Sequence, residues 1–424
     1  MTNPVVPRRY LPIFAALVSC FALWGVLNNM TDNLVPAFQK IFMTSQSTAG
    51  YVQISFYGAY SVVALFASLL VQKAGYRFGV LVGLGVYVLG ALLYVPACVA
   101  QSFWLYIAGI FIVAGGCAVL ETTCNPYVLA LGSPETAVRR LNFAQMFNPV
   151  GSLAGILLAQ QLILANLHPA TADERAAMAP EALKAIMNRE LFWVCVPYVG
   201  LCAIAALIWF FFYFSKRTEA DAAETGRTDF RAILSILAHS PSWYLGVVAQ
   251  VFYVGVQIMC WTFIIQYADH LGINKATAQL YNIAAMSLNL GGRFIGTFIM
   301  RYVNTRMLLT IFGVGASLCT LGAISIEGMG GLYCLVAISL FMSIMFPSIY
   351  GIALENVDTK DTHLGAAFLV MAIVGGALMP PMQGRIIDMG TLWGMPAVNM
   401  SFILPLICFL VIIVYGWRAY MKRG

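Results

Sequence analysis

Two acidic side chains stand where acids are rare. Asp32 follows the paired amides Asn28 and Asn29 in LWGVLNNMTDNL, and Glu121 precedes Asn125 and Pro126 in AVLETTCNPYVLA, both within apolar surroundings. An ionised carboxylate in hydrocarbon costs about 3 kcal/mol or more, so such groups mark function by default. The competing reading is a buried ion pair or a hydrogen-bonded kink, and it lacks an obvious cation. The one basic residue well inside an apolar stretch is Arg293, which is expected to snorkel or brace a gate rather than to pair with Glu121. Low dielectric disfavours the charged form of a carboxyl. A group of this kind holds a proton when closed to water and releases it when water enters. The two acids differ in depth by roughly 15 Å at a rise of about 1.5 Å per residue, which suits stepwise proton movement. His168, His239, His270 and His363 lie in loops or at the edges of apolar stretches, so proton handling must rest on the carboxylates.

Around these acids lie amides and indoles. The first half of the chain offers Trp24, Asn28, Asn29, Asn125, Asn142, Gln145 and Asn148, and the second offers Gln257, Trp261 and Asn289. Amides and carboxyls match the hydroxyls of a sugar, and an aromatic plane covers its apolar face. Buried amides need partners, and each of these could equally serve as glue between helices. Trp24 and Trp261 fall in mid-stretch. Trp104, Trp193, Trp243 and Trp417 fall near the ends, as anchors of an aromatic belt do.

The elements that position these residues are membrane spans. Of 424 residues, 61% are hydrophobic and 9% charged, so lipid must be the solvent for most side chains. Apolar runs predict twelve helices, at 11–37, 50–72, 79–99, 104–131, 142–166, 191–215, 243–268, 276–300, 306–326, 330–354, 363–384 and 397–417. The alternating ten-residue segments of a barrel are missing. The N-terminal run is too long for a signal peptide and is expected to stay as the first span. With the N-terminus inside, sixteen loop Lys and Arg fall inside, among them Arg8, Arg9, Lys73, Arg77, Arg139, Arg140, Lys216 and Arg217. Six fall outside: Lys40, Arg175, Lys184, Arg189, Lys275 and Arg385. This bias places both termini in the cytoplasm.

The charged break of residues 216–241 divides the chain into six-helix halves, 1–215 and 242–424. The halves resemble each other. Pro126 and Pro347 mark their fourth spans, Gly151 and Gly155 against Gly375 and Gly376 mark their fifth, and Lys73/Arg77 and Arg301/Arg306 follow their second. Parallel halves around a midplane site suit a transporter. Ten scattered cysteines form no metal-ligand spacing and read as small packing residues. The charge of +6 comes without a basic cluster or stacking stripe, so nucleic acid is not a partner. No nucleophile–base or metal set points to an enzyme, and no cofactor is expected.

Certain stretches are more specific than hydropathy. LWGVLNNMTDNLVPAFQKIF, LETTCNPYVLALGSPETAVRRLNFAQMFNPVGS, AQVFYVGVQIMCWTFIIQYA, FMSIMFPSIYGIALENV and FLVMAIVGGALMPPMQG together resemble the fucose–galactose–glucose family of sugar–proton symporters within the major facilitator superfamily, its L-fucose branch above all. The resemblance runs over nearly the whole chain. It implies an all-α integral membrane protein of the major facilitator fold, alternating access, and import of a sugar with a proton across a bacterial inner membrane. It also implies that Asp32 and Glu121 couple the proton, with Glu121 close to the sugar, and that Asn29, Gln145 and Asn148 bind substrate. Trp24, Asn125, Gln257 and Trp261 complete the expected sugar site. Relatives carrying glucose or galactose usually have glutamine at the position of Glu121, which favours the fucose-like branch. Two departures stand out: QKAGYR after span two lacks the superfamily's usual aspartate, and Phe346 replaces a tyrosine before the span-ten proline. Losing a hydroxyl can shift which sugar is preferred, so deoxyribose, galactose and arabinose remain alternatives. Efflux stays open, as does a transporter-like sugar sensor, and a monomer in the lipid bilayer is expected.

Overall fold

The computed structural model describes residues 5–44, 46–49, 51–170, 172–219, 235, 239–273, 275–355, 357, 362–392 and 394–422. Of the residues singled out above, Arg227, Arg231, Lys360 and Arg423 lie outside the described residues, as do the side chains of Asp32, Lys275 and His363.

Twelve helical spans can be followed among the described residues. The first six are Leu11–Ile41, Tyr51–Ala74, Tyr76–Leu92 continued by Tyr94–Val99, Phe103–Ala130, Ala137–Gln145 continued by Phe147–Leu158, and Pro180–Phe214. The last six are Pro241–His270, Lys275–Ile299, Thr305–Ser325, Met329–Met342 continued by Met345–Leu354, Thr362–Met371 continued by Val374–Ile387, and Ile403–Met421. Among the described residues, eleven helical stretches are long and apolar enough to cross a membrane. Span eight falls short of that apolarity because Gln279, Asn282, Asn289 and Arg293 punctuate it. Large apolar side chains such as Phe66, Leu89, Leu207, Phe214 and Val414 are exposed, as befits a chain whose surface meets acyl tails rather than water. One short antiparallel pair, Thr391–Leu392 with Met395–Pro396, precedes span twelve.

The spans are interrupted where proline removes a backbone donor. Pro149 has no N–H for the carbonyl of Gln145, and helix Ala137–Gln145 stops there before resuming at Phe147. Pro347 stands four residues after Ser343, and span ten breaks between Met342 and Met345. Two carbonyls are thereby released inside the membrane.

The chain packs as two compact units. One comprises Arg9–Cys124 and Val150–Thr225, the other Met1–Arg8, Asn125–Pro149 and Gly226–Gly424. In the first unit span five meets span one at Gly151, where a Cβ would stand 2.0 Å from the Ala22 carbonyl oxygen. Only glycine permits that approach. Arg77 donates to the carbonyls of Phe212 and Tyr213 and so ties span three to the end of span six. In the loop between spans five and six, fully buried Arg175 forks onto Glu190, with Nη1 to Oε2 at 2.9 Å, and also donates to the carbonyls of Lys40, His168 and Ala170. Span six begins at Pro180, a longer helix than its apolar run, and this brings Glu190 onto the folded loop.

In the second unit span eleven meets span seven at Gly375, where a Cβ would again stand 2.0 Å from a carbonyl oxygen, that of Val251. The two glycine contacts sit six spans apart in chain order. Arg140, counted above among the loop cations, is fully buried. It donates to Val128 and Leu129 carbonyls at the end of span four, to Val5, and to the Thr136 hydroxyl. The negative end of the span-four dipole and these carbonyls compensate its charge where a carboxylate would otherwise be needed. Trp243 corrects a second expectation. It is no interface anchor but is 6% exposed, and its Nε1 donates to the Gly365 carbonyl at 3.2 Å. Trp104 and Trp417 are exposed, as belt residues should be.

Candidate functional site

Within the first unit, span four carries Glu121 in a buried position, 8% exposed. Cys117 lies one turn before it, and the fully buried Tyr60 of span two faces both Cys117 and Glu121. Trp24 is buried, with its ring 4.3 Å from that of Phe21. Asn29 is part-buried and donates to the Gly25 carbonyl of its own helix at 3.4 Å. Asp32 lies in span one, nine residues before its end at Ile41, and its side chain is not described.

Within the second unit the amides converge. Asn125 is fully buried, and its Oδ1 accepts from Nε2 of Gln145 at 2.8 Å, joining span four to span five. Asn125 also falls one turn after Glu121 in the same continuous helix, and i,i+4 residues share a helix face. Asn142 donates to the Val138 carbonyl, a local bond that fits the glue reading. Asn148 is half-buried just past the proline break. Trp261 Nε1 donates to the Ser339 hydroxyl at 3.2 Å and Asn289 to the Ser339 carbonyl at 3.1 Å, so two candidates meet on one serine of span ten. Gln257 is half-buried beside Tyr253. Phe346 is stacked on Tyr350 and lies edge-on to Tyr253.

Arg293 is buried at 5% exposure, and its guanidinium takes both of the carbonyls that the prolines release. Nε donates to Ser343 O at 2.7 Å, and Nη1 donates to Gln145 O. Tyr253 lies against the same guanidinium. Span eight therefore holds span five and span ten together at their breaks. Beside this contact Gly351 of span ten meets Val138, where a Cβ would stand 2.8 Å from Val138 Cγ2. Gln145 thus does two things at once: its side chain bonds Asn125, and its carbonyl is held by Arg293.

Sequence reasoning missed Tyr60, Tyr253 and Ser339, which carry no signal beyond residue type. It also missed the partners of Arg293, although the spacing of Pro149 and Pro347 from Gln145 and Ser343 gives them away.

Helices long enough to span, buried amides bonded across them, and an acid held beside a tyrosine and a thiol define an all-helical, multi-pass membrane protein built to handle a polar solute. The chain belongs to the Major Facilitator Superfamily, whose profile matches residues 13–380. It is 45% identical over 99% of its length to the L-fucose-proton symporter of Haemophilus influenzae, covering 99% of that protein. It is 34% identical to the L-fucose-proton symporter of Escherichia coli, over 96% of this chain and 93% of that one. A glucose/galactose transporter of Brucella abortus is 28% identical over 96% of this chain and 94% of its own. A crystal structure of the Escherichia coli fucose:proton symporter matches at a TM-score of 0.89 and 33% identity, covering 97% of this chain and 99% of that chain.

Proposed function

We propose that the protein is a proton-coupled symporter that imports L-fucose or a closely related sugar across the bacterial inner membrane. The observation that carries this reading is the buried Glu121, one helical turn from an Asn125 already bonded to Gln145. The L-fucose symporters at 45% and 34% identity support the substrate class. Both termini face the cytoplasm, in line with the sixteen-to-six bias of Lys and Arg. The moving bodies are two six-helix halves, residues 1–215 and 242–424, joined by 216–241, and the protein works as a monomer.

Sugar from outside engages Asn29, Gln145 and Asn148 together with Trp24, Asn125, Gln257 and Trp261, with Glu121 close by. Asp32 and Glu121 take up protons and become neutral. Neutral acids permit the inward-open state, because closing an ionised carboxylate away from water is disfavoured by desolvation. The hydrogen bond from Arg293 to Gln145 must then break for span five to part from span eight. Release of sugar and proton inside restores the charge and returns the carrier.

The test is Glu121→Gln in sealed proteoliposomes with an imposed pH gradient. Accumulation of labelled L-fucose should be lost, whereas exchange of labelled for unlabelled sugar, which needs no net proton movement, should persist. Accumulation at the wild-type level in this variant would sink the coupling assignment. Sugar-elicited alkalinisation screened over fucose, galactose, arabinose and deoxyribose fixes the substrate.

A further inference from the structure

We infer that the cavity between the start of span one and the end of span six binds an anionic phospholipid. Its volume is about 420 Å³, within the range of pockets that hold small organic groups. Its rim carries three cations, Arg9, Lys216 and Arg217, against a single carboxylate, Glu219. That carboxylate is committed. Arg9 forks onto it through two bonds of 2.9 Å, and the Tyr10 hydroxyl donates to it at 3.2 Å. Lys216 and Arg217 are exposed neighbours with no ion pair or side-chain hydrogen bond among the described residues. Two adjacent positive charges therefore remain for an anion.

The opposite wall is apolar, formed by Pro12, Ile13 and Phe211. Phe211 is 40% exposed and Phe214, three residues on, is 78% exposed, so this wall continues into the surface that meets acyl chains. A phosphate or glycerol phosphate alone would satisfy the cations and leave the aromatic wall wet. A phosphodiester carrying acyl tails satisfies both, which is the pattern of basic headgroup pockets between membrane helices. The corresponding corner at spans seven and twelve has Arg418 and Lys422 but a volume of only about 20 Å³. There the Tyr415 hydroxyl reaches across to the Ser242 carbonyl at 3.4 Å, and a headgroup has no room. The two corners share charge and differ in space.

The intact protein, purified in mild detergent and stripped of lipid, is titrated by native mass spectrometry. The probes are phosphatidylglycerol and phosphatidylethanolamine of matched chains, with sn-glycerol 1-phosphate as the headgroup-only arm. Phosphatidylglycerol should bind about fivefold more tightly than phosphatidylethanolamine, the scale set by one surface cation. The double variant K216Q/R217Q should lose this preference and keep the wild-type melting temperature. The double variant R418Q/K422Q should retain it. Equal loss in both variants would reduce the effect to diffuse surface charge, and an unchanged preference in K216Q/R217Q would remove the site. Competition by glycerol phosphate as strong as by lipid would replace the phospholipid with a soluble anion. In bilayers, a photoreactive phosphatidylglycerol should label the peptide bearing Lys216, and labelling confined to other peptides would also overturn the assignment.

Discussion

Arg293→Met removes a cation from a buried place and leaves two main-chain oxygens without donors, and the size of the effect can be worked out from where those oxygens lie. Each charge-assisted bond is worth about 1.5–3 kcal/mol net. The bond to Ser343 joins spans eight and ten, and it is not the one that must break for span five to move. The bond to Gln145 is. Burying the guanidinium works against the closed arrangement, because the cation regains water on opening, so the lower end applies. The variant should therefore part span five from span eight more easily by about 1.5 kcal/mol, roughly a tenfold rise in the open fraction. Hydrogen–deuterium exchange of the purified protein reads this directly, as about tenfold faster exchange across Ala137–Gln145 with little change in span two. A second substitution checks the cause. Pro149→Ala gives residue 149 an N–H that can bond the Gln145 carbonyl within its own helix. In the Arg293→Met background it should recover much of the protection. Exchange within twofold of wild type in Arg293→Met would refute the reasoning, as would a Pro149→Ala substitution that leaves the fast exchange untouched.

Three further outcomes are expected. Gly375→Ala would set a Cβ 2.0 Å from the Val251 carbonyl oxygen, a main-chain atom that cannot turn aside, so overpacking should destabilise the fold by about 1–3 kcal/mol and lower the thermal midpoint in detergent. Arg175→Met leaves Glu190 buried without its ion-pair partner; breaking such a pair from one side costs about 3–5 kcal/mol, readable as poor folding yield and rapid proteolysis of the loop between spans five and six, whereas the double variant Arg175→Met/Glu190→Met should recover part of the loss. Phe346→Tyr places a hydroxyl beside Tyr253 and Tyr350, and competition assays should show the ratio of fucose to galactose affinity shifting about tenfold, the scale of one sugar hydrogen bond; an unchanged ratio would remove Phe346 from the specificity argument.

The spans were legible because hydropathy over some twenty residues is a sum that survives local irregularity. Glu121 was legible for the opposite reason, as a single acid against an apolar background. Asn125 and Gln145 could be read as a set, but not as a bonded pair, since spacing along two helices does not fix their rotation. Arg140 and Arg175 could be read only as loop cations, and position in a break between apolar runs says nothing of their burial. Both are compensated by backbone oxygens or a folded loop, which charge patterning does not register. Trp243 failed similarly: its place near a span end fits a belt, and only packing against span eleven decides otherwise. The partners of Arg293 were written in the sequence, four residues ahead of two prolines, but pairing a cation with an unclaimed carbonyl requires knowing that the three helices meet.

The grip of Arg293 on peptide oxygens has a consequence for how this carrier can change over generations. An acceptor carried by a side chain disappears with one codon, but the oxygens of Gln145 and Ser343 belong to the main chain and outlast any replacement of those two residues. The side chain of residue 145 can therefore vary without unfastening the contact behind it. The fragile genetic points are instead Arg293 and the two imino acids, Pro149 and Pro347, that leave those oxygens unclaimed.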